Sequence, residues 1–226
     1  MLIYAKQPIN YIIQKHPTKI KKLYLAKEMD KKEYSQLMKI GFEIKRIPPD
    51  AAGKMCKNAS HQGILAEVDE YVLCNYKTFL NYEFVLVLSG VTDVGNIGAI
   101  IRTAYALGVD GVIACGVKSL PIEAIVRTST GALFDMPFAI EQNVLDVLND
   151  LKMSGFTSYG ADMGATDIRD VKIKQKRALF LGSEGEGLTQ RVSSKLDELV
   201  SIKMSHEFDS LNVSVAGAIL MDRMRK

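Results

Sequence analysis

Apolar residues cluster along this chain in two different settings. In the second half, Phe84-Val85-Leu86-Val87-Leu88 is unbroken, which predicts a strand buried on both faces of a parallel sheet. Residues 111–115 repeat the pattern, and further strands are expected at 156–160, 178–181 and 199–202. Helical spacing fills the intervals at 97–107, 121–129, 143–153, 188–196 and 212–224, with Gly108 closing the first. Strands separated by helices at this spacing predict an α/β parallel sheet covered by helices on both faces.

The first seventy residues read as a smaller α/β unit. A helix near 9–16 precedes a strand at 22–26, and a helix at 31–40 ends at Gly41, a suitable C′ residue. Residues 42–47 alternate as a strand does until Pro48-Pro49 stops them. After a short helix at 50–57, the polar loop Asn58-Ala59-Ser60-His61-Gln62-Gly63 enters a strand at 64–68. Residues 69–83 lack a period. The expected organisation is a small domain at 1–70, a linker at 71–83 and a larger domain at 84–226.

Composition adds bounds. The chain has 226 residues, 47% apolar and 24% charged, enough for a packed core. The longest apolar stretch near the C-terminus, 213–221, is too short to span a bilayer, and the opening residues carry no secretory pattern. Three cysteines without a C-x-x-C fit a reducing cytoplasm and no disulfide framework. No metal site is expected. The net charge of +3 hides an asymmetry: residues 1–57 hold 13 Lys and Arg against 5 Asp and Glu, the remainder 16 against 21. A basic front predicts a polyanionic partner, and a solvated lysine surface fits the same count.

Candidate chemistry gathers where strand-like runs meet helix-like runs, the seams at which backbone N–H groups are free to meet a ligand. Gly182-Ser183-Glu184-Gly185-Glu186-Gly187 follows a buried strand. Its spacing is not the dinucleotide G-x-G-x-x-G, and it lacks the G-K-[ST] of a P-loop, which disfavours an NAD enzyme or an NTPase. A second segment, 94–104, sets Asn96 at a helix start and Arg102 six residues on. The Arg102 fork suits a phosphate or carboxylate, or a surface ion pair. In the third, Ser210-Leu211-Asn212 reads as a cap for the last helix, and Ser214 beside it is more than a cap requires.

Together, in this order, the three segments resemble the signature motifs of the SpoU (TrmH) branch of the SPOUT RNA methyltransferases. The likeness runs from Phe84 to the C-terminus. The first seventy residues resemble the substrate-binding domain of the rRNA members, through Lys22-Leu23-Tyr24-Leu25 and the His61-Gln62-Gly63 turn. The resemblance implies a cytoplasmic homodimer, with a C-terminal trefoil knot and no metal or membrane. Its implied activity is S-adenosylmethionine-dependent 2′-O-methylation of a ribose in structured RNA, foremost a guanosine of large-subunit rRNA. A tRNA methyltransferase of the same branch and a non-catalytic RNA-binding protein on the same scaffold stand as alternatives.

By motif position, the implied catalytic group is Asn96, Arg102, Glu184, Ser210 and Asn212. The implied cofactor contacts are Leu181, Gly182, Ser183, Ile202, Met204 and Leu211. Arg102 stands either as general base or as a clamp on a flanking phosphate, and Glu184 as a residue that fixes its loop. His61 divides between a plain surface turn and an RNA contact. Two departures from the family pattern stand out. Ile202-Lys203-Met204-Ser205-His206 lacks the usual proline and glycine of the cofactor loop. Ala5 replaces a common glycine, a change expected to be minor.

Overall fold

The computed structural model describes residues 1–206 and 210–225. The chain packs as two compact units, Met1–Val72 with Pro121–Phe134, and Leu73–Leu120 with Asp135–Lys226.

The first unit contains β1 (Leu2–Tyr4), α1 (Lys6–Lys15), β2 (Ile20–Leu25), α2 (Lys31–Ile40), β3 (Glu43–Arg46), α3 (Pro49–Met55) and β4 (Ile64–Val68). Its sheet runs β1-β4-β2-β3, with β4 antiparallel to β1 and β2 and with β3 parallel to β2. β1 has three residues, too few to show a period in the sequence. α2 ends where expected, at Gly41 with φ 94°, and it begins at Asp30, whose carboxylate accepts from Lys32 N and Glu33 N. Ala5, between β1 and α1, adopts φ 81° and ψ 149°. That region suits glycine, and an L-residue held there stores about 1–3 kcal/mol of strain. The loss of glycine at position 5 is therefore a conformational burden rather than a minor change.

The second unit begins with β5 (Phe84–Ser89), α4 (Val94–Ala106) and β6 (Gly111–Cys115). After α5 (Ile122–Thr128), which packs within the first unit, come β7 (Phe138–Glu141), α6 (Val144–Met153), β8 (Thr157–Asp167) and β9 (Arg177–Leu181). The series closes with α7 (Gln190–Ser193), β10 (Glu198–Ser201) and α8 (Val213–Met224). Six strands in the order β10-β8-β9-β5-β6-β7 are all parallel to their neighbours. β5 lies near the centre, and Phe84 to Leu88 are no more than 1% exposed, as the unbroken apolar run predicts. On one face Val147, Leu148 and Leu151 of α6 pack with Val85, Val87 and Ile113. α4 and α8 pack on each other, and α8 also meets β9.

Residues 71–83, without a sequence period, contain a 3-10 helix at Tyr76–Asn81. Its Tyr76 and Phe79 are buried in the second unit's core, and the Phe79 ring fills the space over Gly111, where a Cβ would come within 3.0 Å. The helix expected at 188–196 shrinks to the four residues of α7. β8 extends well past the expected 156–160. Leu199 and Val200, adjacent on β10, pair with Gly160 and Thr166 of β8, so residues 161–165 leave the ladder as a bulge.

Candidate active site

Asp93, not Asn96, caps α4: its carboxylate accepts from Asn96 N at 2.7 Å. The sequence held a signal for this in the acid three residues ahead of Asn96. The cap leaves the Asn96 side chain free for other partners. At the far end of β9, Gly182 opens a loop that folds straight back, with Ser183 and Gly187 exchanging backbone hydrogen bonds of 3.1 and 3.0 Å. A Cβ on Gly182 would lie 1.9 Å from the Gly187 carbonyl carbon, so only glycine fits. The returning loop carries Glu184 at its turn. Asn212 caps α8 by accepting from Ser214 N at 2.9 Å.

These three seams converge on one network. Asn96 Nδ2 donates to Glu184 Oε1 at 2.5 Å. Asn212 Nδ2 donates to Glu184 Oε1 and to Asn96 Oδ1, each at 3.0 Å. Ser214 Oγ donates to Asn212 Oδ1 at 2.6 Å. Residues 116 positions apart in sequence are thus bonded side chain to side chain. Arg102 lies on the same helix as Asn96, about 9 Å further along its axis at the α-helical rise, and it is exposed.

A cavity of about 580 Å³ opens beside the C-terminal ends of β8 and β10. It gathers Ile202, Met204, Ser210 and Leu211 from the expected set. Leu181, Gly182 and Ser183 lie outside its lining: Leu181 is buried at the end of β9, and the other two form the start of the returning loop. The bulge at 161–165, invisible to periodicity, supplies one wall. Ser201 Oγ ties that wall back by donating to the Ala165 carbonyl at 2.8 Å. Asp167 also lines the cavity. The Arg169 guanidinium forks onto both of its oxygens, and this holds its carboxyl down at about 2. Asp167 therefore stays ionised at any pH near neutrality.

The cavity fits S-adenosylmethionine on two counts. Its volume lies in the range of small-molecule sites. Its lining combines apolar Val200, Ile202 and Leu220 with the carboxylates Asp162 and Asp170, which suit a ligand carrying sulfonium and ammonium charges. Among the described residues, no group of three or more His, Cys, Asp or Glu is placed to hold a metal ion.

The first unit holds a separate cavity of about 1,040 Å³, bordered by α1, α2 and the loop before β4. Lys6, Lys27, His61 and Gln62 line it together with Glu28 and Glu33. His61 Nδ1 accepts from Gly63 N at 3.1 Å, which leaves Nε2 for another partner. Gln62 Oε1 accepts from Lys6 N at 3.0 Å. The Lys27 stem lies across Gly63, where a Cβ would approach it to 2.8 Å.

A parallel-sheet α/β protein with a ligand cavity at its strand ends and a converged polar network is the class these observations define. Residues 83–222 match the SpoU rRNA Methylase family, and residues 2–73 match the family described as RNA 2′-O ribose methyltransferase substrate binding. The chain belongs to the SpoU methylase family, whose members are S-adenosylmethionine-dependent RNA methyltransferases. A putative TrmH family tRNA/rRNA methyltransferase of Staphylococcus aureus (strain COL) is 33% identical, over 93% of this chain and 89% of its own length. The SpoU methyltransferase AviRb of Streptomyces viridochromogenes, solved with the cofactor AdoMet, superposes with a TM-score of 0.80 at 26% identity, covering 99% of this chain and 88% of that one. The TrmH/SpoU tRNA modifying enzyme of A. aeolicus gives a TM-score of 0.56 at 25% identity, over 66% of this chain and 78% of that one. Among the described residues, no helix is long and apolar enough to cross a membrane.

Proposed function

We propose that this protein methylates a ribose 2′-hydroxyl in structured ribosomal RNA, with a guanosine of the large subunit as the target that the motif resemblance favours. The observation that carries the reading is the convergence of Asn96, Glu184 and Asn212 on one network in the unit that holds the cofactor-sized cavity. The likeness to AviRb spans nearly the whole chain, whereas the likeness to the tRNA enzyme stops at about two thirds. A unit matched to RNA substrate binding, on the basic part of the chain, supports a structured RNA target, and the match to the SpoU rRNA Methylase family favours rRNA.

In this reading residues 1–70, in one unit with Pro121–Phe134, bind RNA, and the rest of 84–226 catalyses, with the helix of the expected linker 71–83 built into the catalytic core. Ile202, Met204 and Leu211 hold the cofactor, with Leu181, Gly182 and Ser183 shaping the loop beside it. Ser210 of the catalytic group lies at the cofactor cavity rather than in the Asn96–Glu184–Asn212 network. S-adenosylmethionine, when bound, supplies the methyl group on an electrophilic sulfonium. Glu184 is held by two amide donors and orients the loop that faces the sugar. Arg102 is exposed, with five donors in a fixed fork, and it clamps a phosphate next to the target ribose. In the first unit, Lys6, Lys27 and His61 meet the RNA by backbone and shape.

A cytoplasmic homodimer completes the proposal. α8 is apolar around most of its circumference, yet Val215 is 48% exposed, and Tyr105 on the neighbouring α4 is 41% exposed. A helix apolar around most of its circumference is ordinarily covered, and a second copy would cover the exposed part of this one.

Mass mapping of ribose methyls in rRNA and tRNA from cells with and without the protein tests the target. Loss of one rRNA methyl supports the reading, and loss of a tRNA methyl alone overturns it. Titration with S-adenosylmethionine separates an enzyme from a pure RNA binder, which would give no heat. Arg102→Lys keeps the charge but loses the bidentate fork, and kcat is expected to fall by about 100-fold or more. Near wild-type kcat in methyl-transfer kinetics would remove the clamp.

A further inference from the structure

We propose that Ser214 is a positioning residue for methyl transfer: its hydroxyl helps lock the Asn212 amide in one orientation, and so determines which oxygen of Glu184 is left for the substrate. The inference rests on the reading of the Asn96–Glu184–Asn212 network as facing the target sugar, and it adds to the loop-orienting role of Glu184 a contact with the substrate.

Donor and acceptor accounting carries it. An Asn side chain offers one oxygen with two lone pairs and one NH2 with two donors. Asn212 uses all four. Its Oδ1 accepts from Ser214 N at 2.9 Å and from Ser214 Oγ at 2.6 Å. Its Nδ2 donates to Asn96 Oδ1 and to Glu184 Oε1. Because Asn96 Oδ1 is thereby occupied, Asn96 must present Nδ2 to Glu184, as it does. Every donation runs in one direction, from Ser214 towards the carboxylate.

Reversing the Asn212 amide would set its NH2 against the Ser214 N–H and its oxygen against the Glu184 oxygen. Both of those meetings are repulsive or unpaired. The Ser214 hydroxyl, which now adds a second bond to Oδ1, would have to turn from donor to acceptor. The α8 cap itself needs only the Ser214 N–H, so the hydroxyl is additional to capping. Glu184 Oε1 ends the relay by accepting twice, while Oε2 takes no hydrogen bond among the described residues. Oε2 is thus the acceptor kept open for a sugar hydroxyl. Asn96 would follow if Asn212 turned, and the open oxygen would lose its fixed place.

The test compares Ser214→Ala with Ser214→Thr in steady-state methyl transfer to rRNA. In the Ala variant kcat is expected to fall about tenfold, the worth of one hydrogen bond, with KM for RNA and cofactor within twofold. The Thr variant, which retains the hydroxyl, restores most of the rate. The melting temperature should fall by no more than a few degrees in Ser214→Ala, because the cap bond survives. Side-chain amide signals of Asn212, read by 15N NMR, should shift in Ser214→Ala and return in Ser214→Thr. Wild-type kcat with unchanged amide signals in the Ala variant would overturn the proposal, and so would a Thr variant as impaired as Ala. If the wild-type protein methylates no RNA, the functional reading fails, while the amide signals still decide the positioning.

Discussion

The side-chain network of the second unit and the cavity of the first use polar side chains in opposite ways. In the second unit, Asn96, Glu184, Asn212 and Ser214 bond to one another across three distant segments. In the first, His61 and Gln62 each accept from a backbone N–H, of Gly63 and Lys6, rather than from another side chain, and Lys6 and Lys27 sit on long flexible stems at the same cavity. Chemistry on a ribose needs reacting atoms held to a fraction of an ångström, which a closed side-chain network provides. Contact with RNA phosphates tolerates adjustment, which lysines on a turn provide. The same chain thus separates a rigid site from an adaptable one.

Removing rigidity should produce the largest effect. Gly182→Ala places a Cβ where the returning backbone already lies at 1.9 Å. The loop must open, at a cost of about 4 kcal/mol or failure to fold. Thermal melting and cofactor titration will read this, and a variant with wild-type melting and affinity would show the loop to be soft. Asn212→Asp cuts deeper into chemistry than into stability. Asp caps a helix as well as Asn does, so the α8 cap survives and stability should fall less than rate. The two donors vanish, however, and a second carboxylate then faces Glu184 at the present 3.0 Å. The expected fall in kcat is about 100-fold or more, and equal losses of rate and stability would contradict the division of labour.

The adaptable side responds differently. Replacing Lys6 and Lys27 with Gln should raise KM for RNA by about fivefold and lower the salt slope of binding by up to about 2. The affinity for S-adenosylmethionine should not change. A drop in cofactor affinity instead would mean that the lysines serve the second unit.

Much of this was readable from the chain. The apolar run at 84–88 revealed the central strand, and Gly41 marked its helix end, because burial and left-handed backbone leave local signatures. Asn96, Glu184 and Asn212 stood out as polar residues at strand–helix seams, and they are the residues that meet. The bulge at 161–165 was not readable, since a departure from pairing depends on β10, some forty positions away. The 3-10 helix Tyr76–Asn81 was missed for a similar reason: its aromatics bury against distant strands, and its few residues are too short for a period. The sequence puts Asn96 at a helix start without naming its cap, and the hydrogen bond from Asn96 N shows that Asp93 supplies it.

The smallest expected effect concerns the backbone beneath the first unit's turn. Ala5 sits at φ 81° beside Lys6, whose N–H is held by the Gln62 side chain. Ala5→Gly releases the strain of that φ, about 1–3 kcal/mol, but returns about 0.5–1 kcal/mol through the freer unfolded chain. A net gain near 1 kcal/mol follows, seen as a rise of a few degrees in melting temperature. Methyl transfer should be unchanged, because the network around Glu184 belongs to the other unit. Loss of stability would mean that the Gln62 tie depends on the strained geometry. In that case, the turn bearing His61 is set by Ala5 rather than merely tolerating it.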